Sequence, residues 1–483
     1  MKFFTKYFIL IVLFSSLTGC KQNKNLIIPN DIEVQNFVWK GLNSVYLWKD
    51  KVPDLNEKKF KNQTQLNDFL KGFSTPDLAF ESLLYDRNNT DKWSVIFDDY
   101  IALENWLKGV SLSNGMEFGL VHVANNNTDI FGYVRYVLPN SDASLKGIKR
   151  GMIFSGVNGT TLTINNYRSL LFSGDTSYTI NLADYNSDGT VTQNGQTILL
   201  NKSDLQEDPV YLTNVITKNN HKIGYLMYNG FYSSFDKELN NAIFDLKNQG
   251  ITDLVLDLRY NGGGSVRTAG FLASMITGQF TGQLFSRERW NNQLQKNFEN
   301  NNPDILVNNF SDELADKTPI NHLNLDNLYV LTTGSTASAS ELVINSLKPY
   351  INVKTIGTKT VGKYVASITV YDSPDFSRNG INPNHTYAMQ PIVLEELNKL
   401  NENDKDGFDP DLPLKEDYGN LGVLGNENEP LLHAAINLIT GNFPLKIQSA
   451  KTIANIKKPI TGSNEVQFKQ NMVVDKKINF NYQ

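Results

Sequence analysis

Apolar side chains recur at near-helical spacing early in this chain, where Ile32, Val34, Phe37, Val38, Leu42, Val45 and Leu47 alternate with polar residues beside Trp39, Tyr46 and Trp48. The pattern predicts a helical segment over 31–108. A second helix falls at 63–73, and Thr75-Pro76-Asp77 reads as a turn opening a third. From about 111 to 202 the texture changes to short strands and turns. There a strand runs to a turn at Pro139-Asn140, a short small-residue helix closes at Gly147, and a further strand ends at Asn158-Gly159. A helix at 166–172 follows. From Lys222 onward, strands at 223–228, 251–258, 328–333 and 353–357 alternate with helices at 236–249, 266–277 and 338–350. Such alternation implies strands buried beneath helices. The stretch 396–418 is acidic and loop-like, 429–440 is a last helix, and the tail to Gln483 carries amphipathic fragments without a domain signal.

Composition sets bounds on this picture. With 483 residues, 40% of them hydrophobic and 20% charged, the chain can fill two or three domain cores. A formal net charge of −5 gives no broad basic field to neutralise phosphates, so nucleic acid is excluded as a main partner. At the N-terminus, Lys2 and Lys6 precede an apolar run from Phe8 to Leu17 that is too short for a membrane span. The run ends in Leu17-Thr18-Gly19-Cys20, which resembles a bacterial lipoprotein box. That likeness implies cleavage before Cys20, lipidation of its thiol, and a lipid-anchored protein of the cell envelope, on the periplasmic side or the outer membrane. Cys20 is the only cysteine, so no internal disulfide is expected. The five histidines are scattered and form no metal signature. Asp184-x-Asn186-x-Asp188-Gly189 opens like a calcium loop, but Gly195 stands where the twelfth-position Glu belongs, so a hairpin turn is expected. No cofactor or metal is called for.

Three segments carry candidate chemistry. Gly334-Ser335-Thr336-Ala337-Ser338-Ala339-Ser340-Glu341 brings small hydroxyl residues into a helix N-terminus, where Ser338-x-x-Glu341 also reads as a capping box. The dipole of a helix N-terminus favours an alkoxide and the oxyanion it creates. Ser335, Ser338 and Ser340 all qualify on these grounds. Val361-Gly362-Lys363 sets a lysine among apolar neighbours. An unperturbed lysine titrates near 10.4, and a lysine base must fall by roughly 2–3 pH units, which requires burial. In Asn261-Gly262-Gly263-Gly264, after the strand ending in Asp257-Leu258-Arg259, backbone N–H groups can approach a bound carbonyl unobstructed. No Gly-Lys-Ser/Thr follows, so a nucleotide loop is disfavoured.

Together these segments resemble the carboxyl-terminal processing proteases (tail-specific proteases, peptidase family S41), in a lipoprotein form with a PDZ domain. The likeness covers roughly 111–440 and implies a multidomain α+β protein. Its parts are a signal peptide at 1–19, a tether at 20–30, a helical N-terminal domain at 31–108, a PDZ-like domain at 109–205, a crotonase-like α/β peptidase domain at 210–442 and a tail at 443–483. It implies a serine endopeptidase of protein or peptide substrates with Ser338 as nucleophile and Lys363 as general base. Gly263, not separable from its neighbours, and Ala339 would be the oxyanion donors. Phe118, Gly119 and Leu120 would belong to the PDZ loop whose backbone N–H groups capture the carboxylate of a C-terminal tail. The chain departs from the family pattern at two positions: Pro349 stands where many members carry Asp, and Ser367 where many carry Gln. Orientation of the lysine then falls to Glu341, Ser367 or backbone. A non-catalytic peptide- or ligand-binding lipoprotein, or an esterase using the same pair, stays open beside the peptidase.

Overall fold

A computed structural model describes residues 28–442, 459–463 and 470–476. The signal peptide, Cys20 and nearly all of the tether lie outside the described residues, as does most of the tail.

The centre is a six-stranded sheet ordered Val210–Lys218, His221–Tyr228, Asp253–Asp257, Asn327–Thr332, Asn352–Gly357 and Leu412–Pro413. Its first pair is antiparallel and the remaining pairs are parallel. Continuous apolar runs make these strands, because both faces are covered. Leu254 and Leu256 point into one core with Ala269, Leu272 and Val343, whereas Val255 points into another with Leu432 and Ile436. Helices Val266–Thr277 and Ala339–Leu347 therefore cover one face and Pro430–Thr440 the other. The three chemistry-bearing segments follow the carboxyl ends of the adjacent parallel strands Asp253–Asp257, Asn327–Thr332 and Asn352–Gly357. That is where open α/β sheets collect their sites.

A second six-stranded sheet stands over these ends, ordered Gly264–Ser265, Met472–Val473, Val365–Ser367, Ile392–Leu397, Leu284–Trp290 and Val307–Asn309. Its second strand comes from the tail, which the sequence left without structure. The stretch read as an acidic loop from 396 begins inside the strand Ile392–Leu397 and includes Leu412–Pro413.

The 31–108 segment is largely helical, as expected, but it is not a separate cap. Phe37, Val38, Leu42, Val45, Tyr46 and Phe80 belong to the same core as Leu254 and Val343. Its one strand, Val95–Phe97, pairs with Ala388–Gln390. Gly41 permits this approach, since a Cβ there would collide with Met389.

Residues 110–206 form a sheet-rich unit with the strand order Thr461–Gly462, Met116–His122, Ile130–Val137, Ile153–Val157, Ser177–Tyr185 and Val191–Asn201. The helix Tyr167–Leu171 packs on it through Tyr167 and Leu171, against Phe118, Leu120 and Phe154. The Asp184–Gly189 stretch is a hairpin turn, with Asp188 accepting from the Thr190 N–H. A buried ion cluster ties this unit to the α/β core. Arg259 is fully buried and donates to Asp257 at 2.9 Å and to both carboxylate oxygens of Glu429 at 2.6 and 2.9 Å. Arg150, from the sheet-rich unit, reaches Glu416 at 2.9 Å, and Glu416 also lies 3.4 Å from Arg259. Burial pushes the Glu416 carboxyl up, yet Arg150 and Arg259 hold it below its ordinary value. Replacing Arg259 by Leu strands these carboxylates in the interior. Urea unfolding of Arg259→Leu is expected to report a loss of about 3–5 kcal/mol.

Candidate active site

Backbone and side-chain hydrogen bonds stitch the three loops together. The Asn261 carbonyl accepts from Ala337 N–H and from Ser340 Oγ, both at 3.1 Å. Ser340 is thereby bonded to the glycine loop. Thr336 Oγ1 donates to the Leu258 carbonyl at 2.9 Å, and Val361 N–H donates to the Thr336 carbonyl at 3.1 Å. Ser335 sits earlier on the same turn, where its N–H donates to Thr333 Oγ1.

Glu341 joins the two principal candidates. One oxygen of its carboxylate accepts from the backbone N–H of Ser338 at 2.8 Å and of Lys363 at 2.9 Å. The other accepts from Gly362 N–H at 2.7 Å and from Thr360 Oγ1 at 2.6 Å. Burial pushes this carboxyl up, and the hydrogen bonds from Thr360, Ser338, Gly362 and Lys363 pull it back. Glu341 thus touches the backbone of both Ser338 and Lys363. The capping motif closes from one side only: Glu341 holds the Ser338 N–H, while Ser338 Oγ is buried without a hydrogen-bond partner among the described residues. Ser338 also has φ +66°, ψ −119°, a left-handed conformation that costs a β-carbon-bearing residue of order 1–3 kcal/mol.

Lys363 is 2% exposed. Burial pulls its ammonium down to about 7, against the opposing attraction of Asp91 and Glu341. The Trp93 ring centroid lies 5.7 Å from Nζ. Asp91 and Trp93 belong to the helical N-terminal segment and were missed by sequence reasoning. Neither sits in a motif, and only the fold brings them to the lysine. Nζ donates at 2.8 Å to the carbonyl of Gln470, in the tail.

The glycine loop divides its donors. Gly263 N–H is taken by Asn261 Oδ1 at 2.8 Å, two residues back, as in an Asx turn. The N–H that reaches a peptide carbonyl is that of Gly264, 2.7 Å from the Asn471 oxygen. Gly263 still has to be glycine, since a Cβ would collide with the Asn471 carbonyl oxygen and with Ser338. Ala339 occupies the first position of its helix, where an N–H has no intrahelical acceptor. Ser367 Oγ lies 3.2 Å from the Met472 carbonyl and 3.4 Å from Gln390, so its recorded bonds are not to the lysine. Behind the glycine loop lies a cavity of about 70 Å³ lined by Tyr136, Phe231, Tyr232, Gly263, Asn471 and Asp475. Phe118, Gly119 and Leu120 lie away from this centre, on the strand Met116–His122, next to the tail strand Thr461–Gly462.

The architecture is that of a mixed α+β multidomain protein with a helical N-terminal region. Family comparison makes the assignment specific. The model for peptidase family S41 matches residues 222–384, and that for the peptidase S41 N-terminal domain matches 33–95. Residues 222–384 thus carry the match to peptidase family S41, the family of the carboxyl-terminal processing proteases, and residues 33–95 the match to its N-terminal domain. The chain is 26% identical over 250 residues to a carboxyl-terminal-processing protease of Picosynechococcus, covering 52% of each chain. It is also 26% identical to a protein of Staphylococcus epidermidis assigned as a CtpA-like serine protease, over 34% of this chain and 30% of that one. The chain thus spans about half or less of the length of these curated relatives. A crystal structure assigned to an S41 protease from Bacteroides fragilis superposes with a TM-score of 0.65 at 28% identity, over 84% of this chain and 98% of that one.

Two substitutions should move stability in opposite directions. Glu341→Gln turns an amide NH2 toward backbone donors and should cost about 2–4 kcal/mol in chemical denaturation. Lys363 titrates near 7 when folded and near 10.5 when unfolded, so below pH 7 the folded state carries the full penalty of about 5 kcal/mol, which fades as pH rises to 10.5. Lys363→Met should therefore raise the thermal midpoint, most clearly at pH 6.

Proposed function

We propose that this chain is a serine endopeptidase in which Ser338 attacks a peptide carbonyl and Lys363 takes and returns the proton. The observation that carries the reading is the Glu341 carboxylate oxygen that accepts from both residues' N–H groups. It brings a serine hydroxyl without a partner among the described residues and a lysine whose charge burial disfavours onto one buried group. An amine titrating near 7 is neutral often enough at physiological pH to act as base, and still acidic enough to protonate a leaving amine. The N–H groups of Gly264 and Ala339 are the proposed oxyanion donors, at the end of a helix whose dipole favours negative charge. Gly263 supports them by leaving room for the substrate carbonyl. Asp91, Trp93 and Glu341 hold the lysine in place of the family's Asp and Gln, whose positions here are Pro349 and Ser367.

The order of elements in 109–205 supports a PDZ-like reading, with Phe118–Leu120 as an edge that pairs with a peptide strand. The peptidase core at 210–442 is read as crotonase-like, and the substrates as polypeptides of the bacterial envelope with accessible C-terminal tails. Anchoring through a lipid on Cys20 would hold the enzyme at the membrane. Cys20→Ala is expected to move the protein from the membrane to the soluble fraction on cell fractionation; unchanged partition counts against the anchor.

The catalytic reading has a defined pH signature. The base must be neutral, so kcat/KM on a fluorogenic peptide should rise with pH through about 7 and fall about tenfold per unit below it. Ser338→Ala and Lys363→Arg should be inactive at every pH, the latter because a guanidinium keeps its charge. Turnover of esters without peptides would make the chain an esterase. Peptide binding without any serine-directed labelling of Ser338 would make it a binding protein.

A further inference from the structure

The tail meets both of the peptide-binding surfaces that the preceding reading assigns. Residues 459–463 lie along Met116–His122, where Thr461 and Gly462 pair antiparallel with Leu120 and Gly119. Ile460 N–H donates to the Leu120 carbonyl at 2.9 Å, and Phe118 N–H donates to Ser463 Oγ at 3.1 Å. Ser463 Oγ in turn donates to Glu117 at 2.5 Å. Residues 470–476 then cross the centre itself. Gln470 gives its carbonyl to Lys363 Nζ, and Asn471 gives its carbonyl to Gly264 N–H. Met472 and Val473 run parallel to Gly264 and Ser265, while Val474 N–H donates to the Ser367 carbonyl at 3.0 Å.

Side chains fasten the same segment. Met472 and Val474 are buried in the main core, at 1% and 5% exposure. Asp475 accepts from Ser265 Oγ, and Lys476 donates to Glu288 at 2.8 Å and to the carbonyls of Ile305 and Val307.

We propose that the C-terminal tail is the chain's own ligand, a strand bound in cis that fills the catalytic cleft and the Phe118–Leu120 edge together and must be displaced before another polypeptide can enter. This rests on the reading of the centre as a peptidase site. The polar groups agree with it. Lys363 Nζ donates to the Gln470 carbonyl and Ser338 Oγ has no partner among the described residues, so with the tail in place the bond through which the serine would pass its proton to the lysine is not made. The tail thereby marks the class of incoming ligand: an extended strand with apolar side chains at the positions of Met472 and Val474 and a cation two residues further on. Tethering gives the tail a high effective concentration, so an external peptide binds only in proportion to the fraction of open molecules.

The test uses the 483-residue chain carrying Ser338→Ala, and as probe a labelled synthetic peptide of residues 459–476. Met472→Asp with Lys476→Glu places charge in the core and against Glu288, and should loosen the tail. Peptide binding is expected to tighten about tenfold or more over the parent chain. Equal affinity in the two chains overturns the proposal. Should the double variant fail to fold by circular dichroism, a site-specific protease sequence placed within 443–458 lets the chain fold before the tail is cut. Binding should then rise after cleavage and dilution, and an unchanged affinity overturns the proposal as firmly. With Ser338 restored, the loosened chain should hydrolyse peptide about tenfold faster. Tighter binding without hydrolysis in either chain upholds the tail as a cis ligand and removes the peptidase reading instead.

Discussion

A single buried carboxylate organises the centre of this molecule. Glu341 accepts four hydrogen bonds, one from Ser338 at the start of its own helix and three from the stretch 360–363, and two of them define where the serine and the lysine stand. Ser338 sits in a left-handed backbone conformation worth 1–3 kcal/mol of strain. Hydrogen bonds to a charged acceptor contribute roughly 1.5–3 kcal/mol each, so the set outweighs that strain even after the cost of desolvating the carboxylate. The consequence is chemical as well as structural. Because Glu341 serves the serine's N–H, helix capping makes no demand on its hydroxyl. A motif that reads as a cap and a motif that reads as a nucleophile are then the same residues with the two polar groups of serine divided between them.

The lysine is governed by the opposite balance. Burial disfavours its charge, while Asp91 and Glu341 favour it, and the outcome lies near 7 rather than near either extreme. Trp93 and Asp91 come from the N-terminal segment, whose helices share a core with the α/β sheet. That segment therefore acts as one wall of the lysine's pocket. A peptidase core without it would leave the amine open to water, where it would hold its proton.

Much of this was legible from the chain alone. The parallel strands announced themselves as apolar runs, the helix predicted at 266–277 is found at Val266–Thr277, and the three loops carried recognisable residues. What stayed hidden depends on partners remote in sequence. Val365–Ser367 and Ala388–Gln390 are too short to show a period, and they are strands only because Ile392–Leu397 and Val95–Phe97 lie beside them. Gly263 and Gly264 cannot be ranked as donors without knowing that Asn261 Oδ1 turns back onto the first. Asp91 is an ordinary acidic residue until Tyr46 donates to it at 2.7 Å and the fold sets it near Lys363. The tail gave no signal because its strands are two residues long and take their order from the sheets they join.

The shape of the second sheet carries a final argument. Gly264–Ser265 and Val365–Ser367 are not neighbours in it, since Met472–Val473 lies between them and bonds to both. Removing the stretch 471–474 would leave Gly264 N–H and the Ser367 carbonyl in want of partners, in a setting where an unmet buried polar group costs about 1–3 kcal/mol. Water can meet part of this need, but an extended peptide meets all of it with the same spacing. The cleft is therefore built as the gap of one missing strand. On the reading proposed above, a polypeptide that takes this strand's place would take its direction too, which would bring its carbonyls to Lys363 and Gly264 beside the hydroxyl of Ser338.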